Sequence, residues 1–445
     1  MQPHKSPVTN IITPSIPTFV ASILERLKDA GHQAFIVGGA VRNIFLQLPI
    51  VDWDIATSAQ PKEIKTIFHD IRFFALKHDT VTLVRSGRHF EVTTFRGQDG
   101  CIEDDLAHRD FTINAMALNL EGTEILDPFG GRMDIREKLI RAVGDPQIRF
   151  QEDPLRLLRA VRLATELGFL IEAKTLETLT CSAPLLQKVA PERIREELIK
   201  VLMSPKPSMG FNVMRRTGLL KQFLLELLEG YRKRQNARHR YTVYKHIMET
   251  IDRTEPVQLL RLTALFHDIA KPRVREKING KWRFFGHEAA SADLAAEILD
   301  RLRFTRLMTG KVTNLIRHHM IDYHSQWSAA AVRRLIRRVG PENIMDLMRF
   351  RRADIFAHGL DNQGAILIDE LEGRIKNQIK NSVPTKTQDL AINGLTVMET
   401  LGLSAGPEVG RVLRELMEKV IDNPELNTKN RLIAILEQKK SSDSL

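Results

Sequence analysis

Two carboxylates spaced two residues apart, Asp52 and Asp54 in Asp52-Trp-Asp-Ile-Ala-Thr57, are the first groups in this chain with the spacing for chemistry. On a β-strand, residues i and i+2 face the same side about 6 to 7 Å apart, so both can reach shared cations while Trp53 turns away. An all-oxygen set of this kind holds Mg²⁺ for phosphoryl transfer. Ahead of them runs Phe35-Ile-Val-Gly-Gly-Ala-Val-Arg-Asn43. Lacking a Cβ, Gly38 and Gly39 let the backbone approach a triphosphate, with helix-start N–H groups facing it, and Arg42 adds a positive charge one turn later. Glu91, in Phe90-Glu-Val-Thr-Thr-Phe-Arg96, interrupts an apolar, β-branched strand. A charge there is costly unless it is paired or binds metal, which makes Glu91 the third candidate carboxylate. Taken singly, the glycine pair and the Asp-x-Asp also fit a tight turn and a solvated strand end; their order with Glu91 favours a metal site.

Two further motifs carry hydrogen-bonding chemistry. In Asp104-Asp-Leu-Ala-His-Arg-Asp-Phe-Thr-Ile-Asn114, Arg109 can meet phosphate and Asp110 can accept from ribose hydroxyls; a surface ion pair with a helix cap is the plainer alternative. In Glu152-Asp-Pro-Leu-Arg-Leu-Leu-Arg-Ala-Val-Arg162, helical spacing puts Asp153, Arg156 and Arg159 on one face and Leu155, Leu158 and Val161 opposite. An acceptor beside forked donors can pair with the edge of a nucleobase, and the same pattern also describes an amphipathic helix with salt bridges.

These groups need a scaffold, and the pattern provides one. Helical spacing covers Pro17 to Ala30, and from Phe35 to about Asn119 short apolar strands alternate with helical segments such as Pro61 to Phe68, as in an α/β head. Beyond Asp127-Pro-Phe-Gly-Gly131 the chain is rich in Leu, Arg, Glu and Ala at helical spacing. Residues 1 to 16 read as a mobile lead-in, Tyr231 to Arg240 and Asn381 to Thr387 as linkers, and Lys439 to Leu445 as a frayed end. With 445 residues there is room for about three cores. The net charge of +11 favours a polyanionic partner. No apolar leader and no run of about 18 apolar residues occurs, so a cytoplasmic protein without membrane contact is expected. Cys101 and Cys181 are too few for a disulfide framework and too far apart for a metal-binding pair.

In order, Gly38-Gly39-x-x-Arg42, Asp52-x-Asp54, Glu91 to Arg96, Arg109-Asp110-Phe-Thr-Ile-Asn114, Asp127 to Gly131, Glu152-Asp-x-x-Arg-x-x-Arg159 and Pro191-Glu-Arg-Ile-Arg-Glu-Glu197 resemble the bacterial class II tRNA nucleotidyltransferases, the CCA-adding and poly(A) polymerase family. The resemblance implies an α/β head of the DNA polymerase beta nucleotidyltransferase type at 17–140, then an all-α neck and body at 141–230. It implies Mg²⁺ on Asp52 and Asp54 with Glu91 assisting, and ribose held by Arg109 and Asp110. Asp153 and Arg156 would select CTP or ATP at the 3′ end of tRNA, and Gly38, Gly39, Arg42, Asn114, Arg159 and Arg162 would make further nucleotide contacts. His246, His267-Asp268, His287, His318-His319 and Asp354 resemble an HD domain, placed at 231–360 with a helical tail at 361–445. His246, His267, Asp268 and Asp354 form a mixed nitrogen and oxygen set suited to Mn²⁺, Co²⁺, Ni²⁺ or Fe²⁺, with His287 and His318 for a second ion.

The chain departs from this family at three places. Asn43 replaces a usual Asp, which is expected to loosen the brace on Arg42, and His108 replaces a usual Arg, weakening a phosphate contact or making it pH-dependent. The stretch from Gly97 to Ala107 is short, where members that add the terminal A carry a longer flexible loop and those that add only two C residues do not. The resemblance therefore points to CC addition, with a separate A-adding enzyme acting next. Full CCA addition and poly(A) synthesis remain alternatives, as does an HD phosphohydrolase or RNA-repair protein from another class.

Overall fold

The computed structural model describes residues 16–75, 80–97, 99–121, 125–236, 240–359, 363–380, 384 and 386–442. The expected lead-in, most of the linker at 381–387 and the last three residues of the chain lie outside the described residues. The chain falls into two compact units, Met1–Phe223 and Leu224–Leu445.

The first unit begins with helix α1 (Thr18–Asp29), which buries Val20, Ile23, Leu24 and Leu27, the i, i+3, i+4, i+7 spacing of one helical stripe. Strands β1 (Ala34–Val37), β2 (Asp54–Thr57), β3 (Arg72–Ala75), β4 (Thr80–Arg85), β5 (Arg88–Thr94), β6 (Ala117–Leu118) and β7 (Ile125–Leu126) form one sheet in the order β3-β4-β5-β2-β1-β6-β7. Only β2 and β5 run parallel among these pairs; the others are antiparallel. The register aligns Val37 with Asp54, and Asp54 with Glu91. Because neighbours in register share a face, the two carboxylates stand side by side at the end of β2, next to the turn that follows β1. Along β5 burial alternates, with Phe90, Val92 and Thr94 inside and Glu91 outside. Glu91 thus lies on the open face of a half-buried strand, not within an apolar run. Phe68, Ile36, Ile55, Leu83, Val92 and Trp53 pack beneath.

Helix α2 (Gly39–Leu46) starts directly from β1 through Gly38 at φ 71° and ψ −136°, a turn that residues with a Cβ strongly disfavour. Next come α3 (Pro61–Ile67), α4 (Ile102–Ala107), α5 (Gly131–Glu137), α6 (Pro146–Glu152), α7 (Arg156–Leu167), α8 (Ala173–Ser182), α9 (Pro191–Met203) and α10 (Pro207–Arg216). The single helix read through Glu152 to Arg162 is two: Asp153 is extended at φ −144° and ψ 98°, because Pro154 drives the residue before it out of the helical region.

The second unit is helical apart from a small hairpin, Glu276–Ile278 with Lys281–Arg283, among the described residues. Most arginines in residues 333–338 and 349–352 pair within the unit. Arg333 is buried and donates to Ile421 O at 2.6 Å and to Asp422 O at 3.0 Å. Arg334 pairs with Asp422, Arg337 with Glu418, Arg349 with Glu255, and Arg352 with Asp369 and Glu372. Cys101 and Cys181 are free, and among the described residues no helix is long and apolar enough to cross a membrane.

Candidate active site and metal centre

A cleft of about 670 Å³ opens at the end of β1, β2 and β5. Gly38, Gly39, Asp54, Glu91, Arg96, Arg109, Asp110, Asn114, Asp153, Arg156, Arg159 and Arg193 line it. Asp52 does not; it is exposed on the segment just before β2, and Trp53 between the two aspartates is buried in the core. Burial raises the pKa of Asp54 and the neighbouring Asp52 charge adds to the rise, against the opposing pull of Arg109. Glu91 is raised by the same burial and by the charges of Asp54 and Asp52. Like charges crowded at one place favour protonation unless a cation neutralises them. An oxygen-only set with this excess negative charge fits Mg²⁺. Gly38 is needed for space as well as for its turn: a Cβ there would lie 3.0 Å from Arg109 Nη1 and 3.3 Å from Asp54 Oδ2.

Below the cleft floor runs a continuous polar chain. Arg42 donates to Asn43 Oδ1 from Nε and Nη2 at 3.2 and 3.0 Å, and to Asn114 Oδ1 from Nη1 at 2.6 Å. The expected loosening at Asn43 is not a lost contact, since the amide oxygen takes both donors. What is missing is charge: burial, joined by repulsion from Arg162, lowers the pKa of Arg42. Asn114 donates to Asp110 Oδ1 at 3.0 Å, as does the Phe111 N–H at 2.8 Å. Burial pushes the Asp110 carboxyl up, but Arg159, with Asn114 and Phe111, brings it below its usual value. Asp110 Oδ2 lies 3.2 Å from Arg159 Nη2 yet forms no aligned hydrogen bond, leaving a buried acceptor at the cleft wall. Asp153 accepts from Leu155 N–H at 3.2 Å and from Arg193 Nη2 at 2.9 Å. Arg156 donates to Glu152 Oε2 at 2.8 Å and to His108 O at 2.9 Å. Arg162 lies outside the lining and pairs with Glu197 and Glu166, both at 2.7 Å. His108 is partly exposed, its Nδ1 2.8 Å from Asp104 O and 3.4 Å from Asp104 Oδ1.

The second unit holds a buried cluster of different chemistry. His246, His267 and Asp354 form one group and Asp268, His287 and His319 another, with ligand atoms in each within 4.8 Å of one another. His246 Nε2 is 3.2 Å from His267 Nε2 and 3.0 Å from Asp354 Oδ1. Backbone carbonyls hold the other ring nitrogens: His267 Nδ1 on Ala264 O at 2.9 Å, His287 Nδ1 on Phe284 O at 2.8 Å and His319 Nδ1 on Ile316 O at 2.7 Å. That pins each Nε2 inward, the orientation of metal-ligating histidine. Buried Asp354 Oδ1, Asp268 Oδ1 and His287 Nε2 make no hydrogen bond, so their lone pairs fit a cation. Burial lowers the pKa of His267, but the Asp268 and Asp354 carboxylates outweigh it and carry it up to about 9.

A family model of the "Poly A polymerase head domain" matches residues 34–141, one of the "Probable RNA and SrmB- binding site of polymerase A" residues 168–230, and one of the HD domain residues 236–357. The CCA-adding enzyme of Lactobacillus johnsonii is 32% identical over 426 residues, which cover 92% of this chain and 94% of that protein. That of Streptococcus thermophilus is 31% identical over 432 residues, covering 94% and 96%. This chain belongs to the CCA-adding enzyme family. It is thus a tRNA nucleotidyltransferase with a polymerase beta-type head, helical regions and an HD domain, and both metal-bearing parts imply dependence on divalent cations. The crystal structure of the Bacillus stearothermophilus CCA-adding enzyme in complex with CTP superposes with a TM-score of 0.73 at 28% identity, covering 96% of this chain and 99% of that one.

Within this family member, Gly38, Gly39, Asp54, Glu91, Arg109, Asp110, Asn114, Asp153, Arg156 and Arg159 come together at one cleft, with Asp52 at its edge, Arg42 beneath and Arg162 apart. In the HD centre His246, His267, Asp268, His287 and Asp354 meet, but His318 does not: the buried histidine is His319. His318 closes the helix Arg306–Arg317 on a partly exposed position beside Arg317 and Arg338. Adjacent residues at a helix end point apart, so only one of the pair can face inward. Four further residues were not among the expected site residues, although Arg96 and Arg193 lie in motifs that carry the resemblance. Arg96 closes the strand motif of Glu91 and Arg193 lies far along the chain on α9. His358 sits 3.8 Å from Asp354 Oδ1, and Lys271, three residues after Asp268, places its Nζ 2.6 Å from Asp268 Oδ2. Helical i+3 and i+4 spacing from the two aspartates was the available signal for the last two.

Proposed function

We propose that this enzyme adds two C residues from CTP to the 3′ end of tRNA and stops there. The observation that carries this reading is the way residues 96–97 and 99–109 are tied together. Asp104 covers Gly97, where a Cβ would stand 1.9 Å from its Oδ2. Its Oδ2 also takes the Asp99 N–H at 3.2 Å, while Asp105 takes the Arg96 N–H at 3.2 Å and Arg109 Nη2 at 2.9 Å. A segment so short and so tied has no free length to move the base-reading groups between two settings. CTP in the Bacillus stearothermophilus relative supports the nucleotide class.

The residues divide the work. Asp52 and Asp54, with Glu91, would hold Mg²⁺, which when bound would lower the pKa of the tRNA 3′-hydroxyl and offset the charge of the leaving pyrophosphate. Gly38 and Gly39 admit the triphosphate, Arg109 faces it, Asp110 Oδ2 accepts from a ribose hydroxyl, and Asp153 and Arg156 read the base. Residues 17–140 then act as head, 141–230 as neck and body, 231–360 as HD domain and 361–445 as tail. The deciding assay offers tRNA lacking its 3′ end CTP alone, ATP alone and both. Two added residues with CTP, none with ATP and no third with both are expected; a third residue overturns the reading.

A second activity is favoured by the buried, hydrogen-bond-free acceptors of the HD centre. It hydrolyses phosphate esters with Mn²⁺, Ni²⁺, Co²⁺ or Fe²⁺. Incubation with a cyclic phosphate or a nucleotide monoester plus Mn²⁺ or Ni²⁺ tests it; no release of product above the Asp354→Asn variant refutes it.

A further inference from the structure

Arg156, which lines the cleft, is oriented by the end of the helix that closes the short segment. Helix α4 ends at Ala107, and its terminal carbonyls meet two guanidinium groups. Ala107 O accepts from Arg149 Nη1 at 2.8 Å and His108 O accepts from Arg156 Nη2 at 2.9 Å. Glu152 joins the two arginines, at 2.7 Å from Arg149 Nη2 and 2.8 Å from Arg156 Nη1. The Arg149 side chain is only 13% exposed and does not line the cleft, so it touches the nucleotide only through others. Positive charge at a helix C-terminus is favourable, and charge-assisted hydrogen bonds to carbonyls are strong and directional. Within α4, Asp105 also takes the Arg96 N–H at 3.2 Å.

We propose that Arg149 is a specificity-determining positioning residue: by tying α4 to Glu152 it locks Arg156 in the single setting that accepts cytosine and refuses adenine. This rests on the CC-adding reading. Adenine is larger and presents a different donor and acceptor edge, so reading it requires Arg156 to swing. Swinging breaks the bond to His108 O and displaces Glu152, which Arg149 holds in place. Loss of one charge-assisted hydrogen bond corresponds to roughly tenfold in an equilibrium between the two settings.

The test compares wild type, Arg149→Ala and Arg149→Lys, measuring kcat/KM for CTP on tRNA lacking its 3′ end and for ATP on tRNA ending in CC. Thermal melting and tRNA affinity are recorded alongside. Wild type is expected to add no A above background, whereas Arg149→Ala is expected to add A to tRNA ending in CC at a rate, relative to its CTP rate, about tenfold or more above that background, with tRNA affinity unchanged. Arg149→Lys keeps a charge at the helix end and is expected to remain folded with an intermediate ratio. A ratio unchanged in either folded variant, whether CTP activity holds or falls in parallel with ATP activity, overturns the role of Arg149. Wild-type addition of A to tRNA ending in CC instead overturns the CC reading itself, so the two failures are distinct.

Discussion

The two metal-fitting sites of this chain solve opposite problems. The cleft of the first unit is open, lined by arginines, and built on oxygen ligands whose pKa values are raised by burial and by one another. The HD centre is buried: His246, His267, His319, Asp268 and Asp354 are each at most 2% exposed, nitrogen and oxygen are mixed, and backbone carbonyls fix the ring nitrogens. An open oxygen site suits a weakly held ion that arrives with a triphosphate. A buried site with preset imidazoles suits a resident transition metal. Divalent chemistry alone therefore does not make two sites alike; access and donor type separate exchange from retention.

That contrast breaks most visibly at the carboxylates. Asp54→Ala is expected to reduce nucleotide addition by about 10³-fold or more, since the bound ion supplies several kcal/mol. tRNA affinity should stay near wild type; single-nucleotide extension and filter binding measure the two effects. An active Asp52→Ala, Asp54→Ala double variant would remove the first site from the comparison. In the HD centre, His267→Ala is expected to weaken transition-metal binding by about 10²-fold or more, because even partners beyond the ligands are worth 10- to 100-fold. Metal content after dialysis against a chelator measures it, with nucleotide addition restored by Mg²⁺ alone. Along the same line, His319→Ala should lower the metal stoichiometry and His318→Ala should leave it unchanged.

A smaller effect sharpens the electrostatic half of the comparison. Asp54 has a raised folded-state pKa, so its ionisation opposes folding above the unfolded value, and the stability it retains below that value is lost as pH rises. Without divalent ions, Asp54→Asn is expected to melt higher than wild type at pH 7, with the gap closing as pH falls towards about 4, where both forms are neutral. Added Mg²⁺ should stabilise wild type and not the variant. The least change is expected from Asn43→Asp. A carboxylate in place of the amide gives buried Arg42 the opposite charge it lacks, for a gain of about 1 kcal/mol and roughly 2 to 4 °C in the Tm of the first unit.

How much of this was readable in the chain depended on distance along it. Gly38, Asp54 and Glu91 could be grouped because strand period and apolar context put them at or beside strands; the sheet order, with β5 beside β2, then sets them side by side. Asp153 and Arg156 were read as one helical face, whereas Pro154 divides them and each finds its own anchor, Arg193 for the first and His108 O for the second. Arg193 is 40 residues from Asp153, and no periodicity reports such a pairing. The choice between His318 and His319 rested on the phase of a helix end, which spacing fixes only to within a residue or two.

Local rules therefore settled which residue types this protein brings to its chemistry: a glycine turn before a helix, carboxylates on strands, and histidines beside aspartates. They act over a few residues, through sterics and backbone period, so the chain alone was enough for them. Tertiary structure alone decided which of those groups are sealed from water and what each is bonded to. Burial and charge pairing are sums over neighbours far apart in sequence, and it is those sums that raise Asp54, leave Asp354 Oδ1 and Asp268 Oδ1 without a hydrogen bond, and turn Arg156 towards the end of α4.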